Sequence, residues 1–389
     1  MMNRLALYAF VLVGIAICPQ LCFSADNERP YVVIHRQGDF GCHTFRIPGI
    51  AKTNDGTLLA VYDMRYTSRR DLQAHIDIGL SRSTDGGQTW ERPRPIMDMG
   101  EYGGLPQDQN GCSDPNILID AGTGEILVTA LWTHAKPGTH QWKDGGSEPG
   151  IDPAQSSQFM AVRSNDDGKT WTKPENLTSQ LKNPSWFLFA PAPGNGITLS
   201  NGTLVIPTQG RDANGLPFSN LTWSDNHGKT WTVSRPARSD TTESAVVELS
   251  DGSLMLNSRD NRNRQDKSKT NGRAVSVTSD LGDHWTIHES DHGALPEPVC
   301  MASLISHQLD DGRSVLFFSN PNHTSKRKKM TVQMSLDDGV TWNKQILLDQ
   351  DGGAYSSLVM VDHDTLGILY ESSRADLIFQ TIDLKEFGL

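Results

Sequence analysis

Apolar and polar residues alternate in short runs along the whole chain, each run preceded by a turn signal, and no stretch sustains the 3.6-residue period of a helix. Thr57-Leu58-Leu59-Ala60-Val61-Tyr62 follows Asp55-Gly56, and Glu125-Ile126-Leu127-Val128 follows Gly122-Thr123-Gly124. Thr203–Ile206 follows Asn201-Gly202, Ser253–Leu256 follows Asp251-Gly252, and Ser314–Phe317 follows Asp311-Gly312. Gly accepts the positive φ of a tight turn and Asp or Asn bonds its own following amides, so this punctuation predicts hairpins.

Between the runs one motif recurs five times. Ser83-x-Asp85-x-Gly87-x-Thr89-Trp90 returns as Ser164-x-Asp166-x-Gly168-x-Thr170-Trp171 and as Ser224-x-Asn226-x-Gly228-x-Thr230-Trp231. Thr278-x-Asp280-x-Gly282-x-His284-Trp285 is a looser copy, and Ser335-x-Asp337-x-Gly339-x-Thr341-Trp342 is the last. Successive copies are 81, 60, 54 and 57 residues apart, close to the length of one four-stranded propeller blade. These boxes hold too few carboxylates for a calcium cage, so they read as structural turns. The expected fold is all-β, a six-bladed β-propeller of four-stranded antiparallel blades, with the chain ends sharing one blade.

Composition adds a compartment and removes some partners. Of 389 residues, 36% are hydrophobic and 21% charged, which is ordinary globular material. Met1–Arg4 followed by the apolar run Leu5–Ile17 reads as a secretory signal peptide over residues 1–25, since the run is shorter than the ~20 residues of a spanning helix. Residues 26–389 then form a single propeller domain, exported to the periplasm or outside the cell. Ile17 before Cys18 and Leu21 before Cys22 argue against lipidation. Removal of the signal leaves Cys42, Cys112 and Cys300, enough for at most one disulfide. A net charge of −11 argues against nucleic acid or an anionic membrane as the main partner, but permits a small anion in an arginine-lined cleft. His43, His75, His134 and His140 show no ligand spacing, so neither a metal nor another cofactor is expected.

A propeller hosts many functions, and single residues must decide among them. Phe45-Arg46-Ile47-Pro48, standing ahead of the five boxes, resembles the sialidases, and the resemblance covers nearly the whole mature chain. It implies three arginines that grip the sugar's carboxylate. These are Arg46, Arg259 in Leu256-Asn257-Ser258-Arg259-Asp260, and Arg327 in Lys326-Arg327-Lys328-Lys329. Arginine suits the task because its planar fork donates paired hydrogen bonds and keeps its charge. Glu371, in Leu369-Tyr370-Glu371, matches the glutamate that positions the first arginine.

The segment Asp63-Met64-Arg65-Tyr66-Thr67-Ser68-Arg69-Arg70-Asp71-Leu72 resembles the family's catalytic loop, implying Asp71 as general acid/base and Arg65 as a pocket residue. Asp63 and Asp77 are rival carboxylates. By the same resemblance the nucleophile is Tyr355, in Gly352-Gly353-Ala354-Tyr355, and its base is Glu243, in Thr241-Thr242-Glu243-Ser244. Sialidases with a tyrosine nucleophile depart from the usual two-carboxylate glycosidase. A neutral phenol attacks a carbon already bearing a carboxylate with less repulsion than Asp or Glu, and it needs a base because its ordinary pKa is about 10. Asp114 and Trp132 match weaker pocket positions, Trp132 being equally suited to the core.

The expected activity is a retaining exo-sialidase acting on sialylated glycoproteins, gangliosides or oligosaccharides. A non-catalytic carbohydrate-binding propeller, and a hydrolase or lyase for another acidic sugar, are the alternatives.

Overall fold

In the computed structural model, residues 29–71, 74–134, 145–265 and 271–389 are described; the proposed signal segment and His140 lie outside them. Among the described residues strands account for nearly all the regular structure, with one α-helical turn at Thr178–Leu181 and four short 3₁₀ turns. Among the described residues no helix is long and apolar enough to cross a membrane.

The first strand, Val32–His35, pairs antiparallel with the last, Leu377–Asp383, in a sheet completed by Thr365–Tyr370 and Ser356–Met360. This joins the chain ends in one sheet, as expected. Thr241–Glu248, Leu254–Asp260, Ala274–Thr278 and Thr286–Ile287 form a second four-stranded sheet; Ser303–Gln308, Ser314–Pro321, Met330–Ser335 and Lys344–Asp349 form a third.

The expectation of six separate four-stranded sheets is corrected by the rest of the chain, which hydrogen-bonds into one sheet of six strands and one of nine. The nine-stranded sheet arises because Gly111 meets Ile76 in a parallel bridge between Ile76–Ser83 and Asn110–Ile119. A side chain at Gly111 would put a Cβ 2.7 Å from the Ile76 backbone, so only glycine allows the approach. The six-stranded sheet has split strands: Leu188–Pro191 and Ile197–Thr198 both pair with Leu204–Arg211.

The sheets are arranged like a propeller. Thr44–Lys52 packs against Asn110–Ile119 on one side and Ser356–Met360 on the other, while Thr241–Glu248 packs against Leu204–Arg211 and Ser303–Gln308. Near the centre Asn195 donates to the Ile50 carbonyl at 2.7 Å and accepts from Ser357 Oγ. Apolar clusters fill the gaps between faces: Leu59, Val61 and Ile78 pack on Ile117, Val128 and Met160, and Phe45 and Tyr62 pack on Leu369 and Phe379.

The repeated motif forms hairpin turns. In the first copy Asp85 accepts from Ser83 Oγ and from the Thr89 amide and hydroxyl, and the Trp90 indole donates to the Gly87 carbonyl at 3.1 Å. The residue before each box glycine also has positive φ, as at Asp167, His227, Leu281 and Asp338. That residue reaches another group of strands: Asp167 accepts from Thr53 and Thr57 within the nine-stranded sheet, whereas His227 contacts Asp120 and Asp338 accepts from Ser250 of a neighbouring sheet. The boxes are therefore joints between groups of strands as well as turns.

Candidate active site

Three of the innermost strands carry β-bulges where their site residues lie, between Arg46 and Gly49, between Ser113 and Asn116, and between Thr241 and Ser244. A bulge re-aims side chains. Here bulges coincide with Arg46, Asp114 and Glu243. Backbone strain marks the same region, since Ile47 and Asp114, each followed by proline, and Val299 all hold φ of 59°. For β-branched Ile47 and Val299 this costs on the order of 1–3 kcal/mol each. Each strained unit secures a site group: the Ile47 amide donates to Glu371 at 3.0 Å, and the Val299 carbonyl accepts from Arg327 at 2.9 Å.

The geometry brings together the three arginines that the sequence placed far apart. Glu371 holds Arg46 through two contacts of 3.2 Å, at Nε and Nη2. Arg259 Nη1 donates to the Tyr355 hydroxyl at 3.0 Å. The guanidinium carbons of Arg46 and Arg327 lie 5.6 and 5.4 Å from the Tyr355 ring centre. Cationic groups thus surround one phenol.

Tyr355 donates its hydroxyl proton to Glu243, whose other carboxylate oxygen holds Arg259 at 2.6 Å. Burial, followed by the adjacent Glu243 charge, pushes the phenol well above its ordinary range. Burial also raises Glu243, but Arg259 and the Tyr355 hydrogen bond outweigh it and hold the carboxyl below the usual range. The pair is therefore a neutral phenol against an ionised base, the arrangement a phenolic nucleophile requires.

Asp71 reaches into the same cleft with its carboxylate about half exposed. Arg65 Nη1 holds it at 2.7 Å and Arg46 Nη1 at 3.1 Å. Burial raises its pKa, yet Arg65 and Arg46 together bring it below the ordinary value. Arg65 is itself buried beneath Asp71, its Nε and Nη2 both bound to Asp63 Oδ2. Asp63 is fully buried, takes the Ser113 hydroxyl at 2.5 Å and accepts the Asp114 amide, so it anchors Arg65 instead of facing the cleft. Asp77 is buried as well and accepts from the Tyr66 hydroxyl at 2.8 Å. Asp114 lines the cleft, its pKa raised far upward by burial and by Asp63 and Glu243. Trp132 is core: it has no exposed surface and its indole donates to Asn110 at 3.0 Å. Cys42, Cys112 and Cys300 are buried free thiols.

The cleft measures about 950 Å³ and contains Arg46, Asp71, Asp114, Glu243, Arg259, Arg327 and Tyr355. It is also lined by Gln209, Arg211, Asp240, Asn261, Arg262 and Arg264, which the sequence reading did not single out. One signal for part of this wall was present. Asp260 caps a 3₁₀ turn over Asn261–Arg264 by accepting the Arg262 amide at 2.9 Å, so an Asp before a polar run marked a turn beside Arg259. His75, which has no ligand spacing in the sequence, lies with Asp77 and Asp98 so that one ligand atom of each falls within 4.8 Å of the others. Asp98 comes from a separate strand end, which sequence spacing could not reveal.

Fold and site together define a β-propeller whose centre holds a buried phenol–carboxylate pair inside an anion-attracting cleft. The BNR repeat-like domain family matches residues 56–369. A sialidase of Bacteroides fragilis is 49% identical over 366 residues, 92% of this chain and 66% of that protein. A sialidase of Micromonospora viridifaciens is 33% identical over 349 residues, 86% of this chain and 50% of that protein. The chain thus spans about half to two thirds of the length of these relatives. The solved Hadza microbial sialidase Hz136 superposes with a TM-score of 0.87 at 46% identity, covering 91% of this chain and 68% of that one. The chain belongs to the sialidase family of glycoside hydrolases, with its BNR-type repeats.

Proposed function

We propose that this chain is a retaining exo-sialidase that removes terminal α-linked sialic acids from glycoconjugates, with Tyr355 as nucleophile. One observation carries the reading: Tyr355 is bonded to both Glu243 and Arg259, with Arg46 and Arg327 flanking its ring. The three arginines bind the sugar's carboxylate, which brings the anomeric carbon over the phenol. Tyr355 attacks while Glu243 takes its proton, and Asp71 donates a proton to the departing oxygen. Water activated by Asp71 then releases the sugar with the anomeric configuration restored.

The low pKa of Asp71 fits this sequence of events. Arg46 is one of its two cationic partners, and a bound carboxylate that engages Arg46 weakens that hold. Asp71 can then gain the proton that an acid must carry.

The six-blade count, export through residues 1–25 and a single domain over 26–389 belong to the same proposal. Of the eight apolar clusters among the described residues, the six largest each lie between neighbouring groups of strands, which supports the blade count.

Proton NMR of aryl sialoside hydrolysis tests the activity. The α-anomer of sialic acid should appear first and then mutarotate. A β-first product, or release of uronic acids in place of sialic acid, contradicts the reading.

A further inference from the structure

The loop that carries Asp71 leaves the sheet at Tyr66 and returns at His75. These two residues close its neck: the Tyr66 amide donates to the His75 carbonyl at 3.3 Å, and their rings stack with centres 4.1 Å apart. Beneath the neck, three electron-pair donors face one point. His75 Nε2 lies 3.3 Å from Asp77 Oδ1, and Asp98 completes a set whose ligand atoms fall within 4.8 Å.

We propose that His75, Asp77 and Asp98 form a binding site for a divalent transition-metal ion of the zinc class. Ligands about 2.0–2.1 Å from a tetrahedral zinc ion stand about 3.3 Å from each other. The His75–Asp77 separation already has that value. The Gln107 side-chain amide sits 2.9 Å from His75 Nε2 and 2.8 Å from Asp98 Oδ1, where it donates protons. A half-turn of this amide places its oxygen in the same position, as a fourth ligand.

The polar contacts leave an opening for a cation. With the Gln107 amide turned so that its oxygen faces His75, the Nε2 lone pair is released and stands 3.3 Å from a carboxylate oxygen on a side chain only 4% exposed. Such a contact is favourable only with a proton or a cation in it. Asp77 accepts the Tyr66 hydroxyl on its other oxygen, and no other hydrogen-bond donor meets Oδ1 among the described residues. One imidazole with two carboxylates suits zinc or cobalt better than calcium, which takes six to eight oxygens.

An ion there would fasten the start of Ile76–Ser83 to the segment after Arg94–Met97, directly below the loop that bears Asp71. Binding is readable without turnover, so the test is independent of the proposed sialidase activity.

The full chain, stripped with chelator, is titrated with Zn²⁺ by calorimetry and with Co²⁺ by visible absorption. The expected result is one equivalent of Zn²⁺, a four-coordinate Co²⁺ spectrum, and a melting temperature raised by Zn²⁺. His75→Gln and the exposed-site variant Asp98→Asn should each weaken binding at least tenfold, with melting of the metal-free variants checking their fold. His284→Gln tests the outward-facing group of Asp280, Asp283 and His284. Absence of Zn²⁺ binding in the native chain overturns the proposal. So does binding that survives both site variants or is lost in His284→Gln.

Discussion

Replacing Glu243 by Gln removes a charge while leaving the volume and most hydrogen-bonding shape of the side chain in place. In the native cleft its carboxylate accepts the Tyr355 hydroxyl and holds Arg259 at 2.6 Å. The phenol sits well above its ordinary pKa of about 10, so ionising it at pH 7 without a base costs at least about 4 kcal/mol, three units at ~1.36 kcal/mol each. That corresponds to a loss in kcat of about 10³-fold, within the 10²–10⁴ range of general-base catalysis. Ligand binding should move the other way. The carboxylate is a like charge beside the arginines that would bind an anion, and its removal leaves Arg259 more available. The assay is steady-state hydrolysis of an aryl sialoside, together with calorimetric binding of a carboxylate-bearing inhibitor and a thermal melt. The expected outcome is turnover lost about 10³-fold with inhibitor affinity kept or improved. A kcat within about tenfold of wild type refutes the base assignment, and parallel loss of inhibitor binding refutes the claim that the change is chemical.

Asp71→Asn should slow hydrolysis of an alkyl sialoside at least about tenfold more than that of a sialoside with an acidic phenol, because only the poor leaving group needs the proton; equal losses on both count against the acid role. Gly87→Ala should destabilise the fold by roughly 2–4 kcal/mol with KM unchanged. Its φ is +89°, and a Cβ there would lie 2.1 Å from the Phe379 ring, as a urea-unfolding series would register. His35, stacked on Phe45 and buried, has its pKa lowered to about 3 by burial. The unfolded chain, with a histidine pKa near 6.5, therefore binds more protons between about pH 3 and 6.5. The stabilisation from neutral His35 is complete above that window and is lost as pH falls through it. Between pH 7 and 5 the native chain should lose about 2 kcal/mol more stability than His35→Phe; parallel pH curves for the two proteins would contradict this.

The repeated turns were legible because their chemistry is local: Asp, Gly and Trp at fixed offsets make the same contacts wherever they stand. Arg46, Glu243, Arg259, Arg327, Tyr355 and Glu371 were legible through family resemblance, and the propeller brings the first five to one cleft with Glu371 holding Arg46. What stayed hidden depends on distant partners. Asp63 looked like a rival acid until Arg65, Ser113 and Asp114 appeared around it. The bulges that aim Arg46, Asp114 and Glu243 follow from pairing register, which alternation alone does not set. The nine-stranded sheet turns on Gly111 meeting Ile76, a contact between strands with no shared pattern.

The central claim is that the Tyr355 oxygen attacks the sugar, and trapping the adduct tests it most directly. A 3-fluorinated sialosyl fluoride slows breakdown of a covalent intermediate, so intact mass and peptide mapping can locate the attached sugar. The account predicts one sugar per chain, bound to Tyr355, and no adduct in Tyr355→Phe. A label on Glu243 or Asp71, or an adduct that persists in Tyr355→Phe, would contradict it.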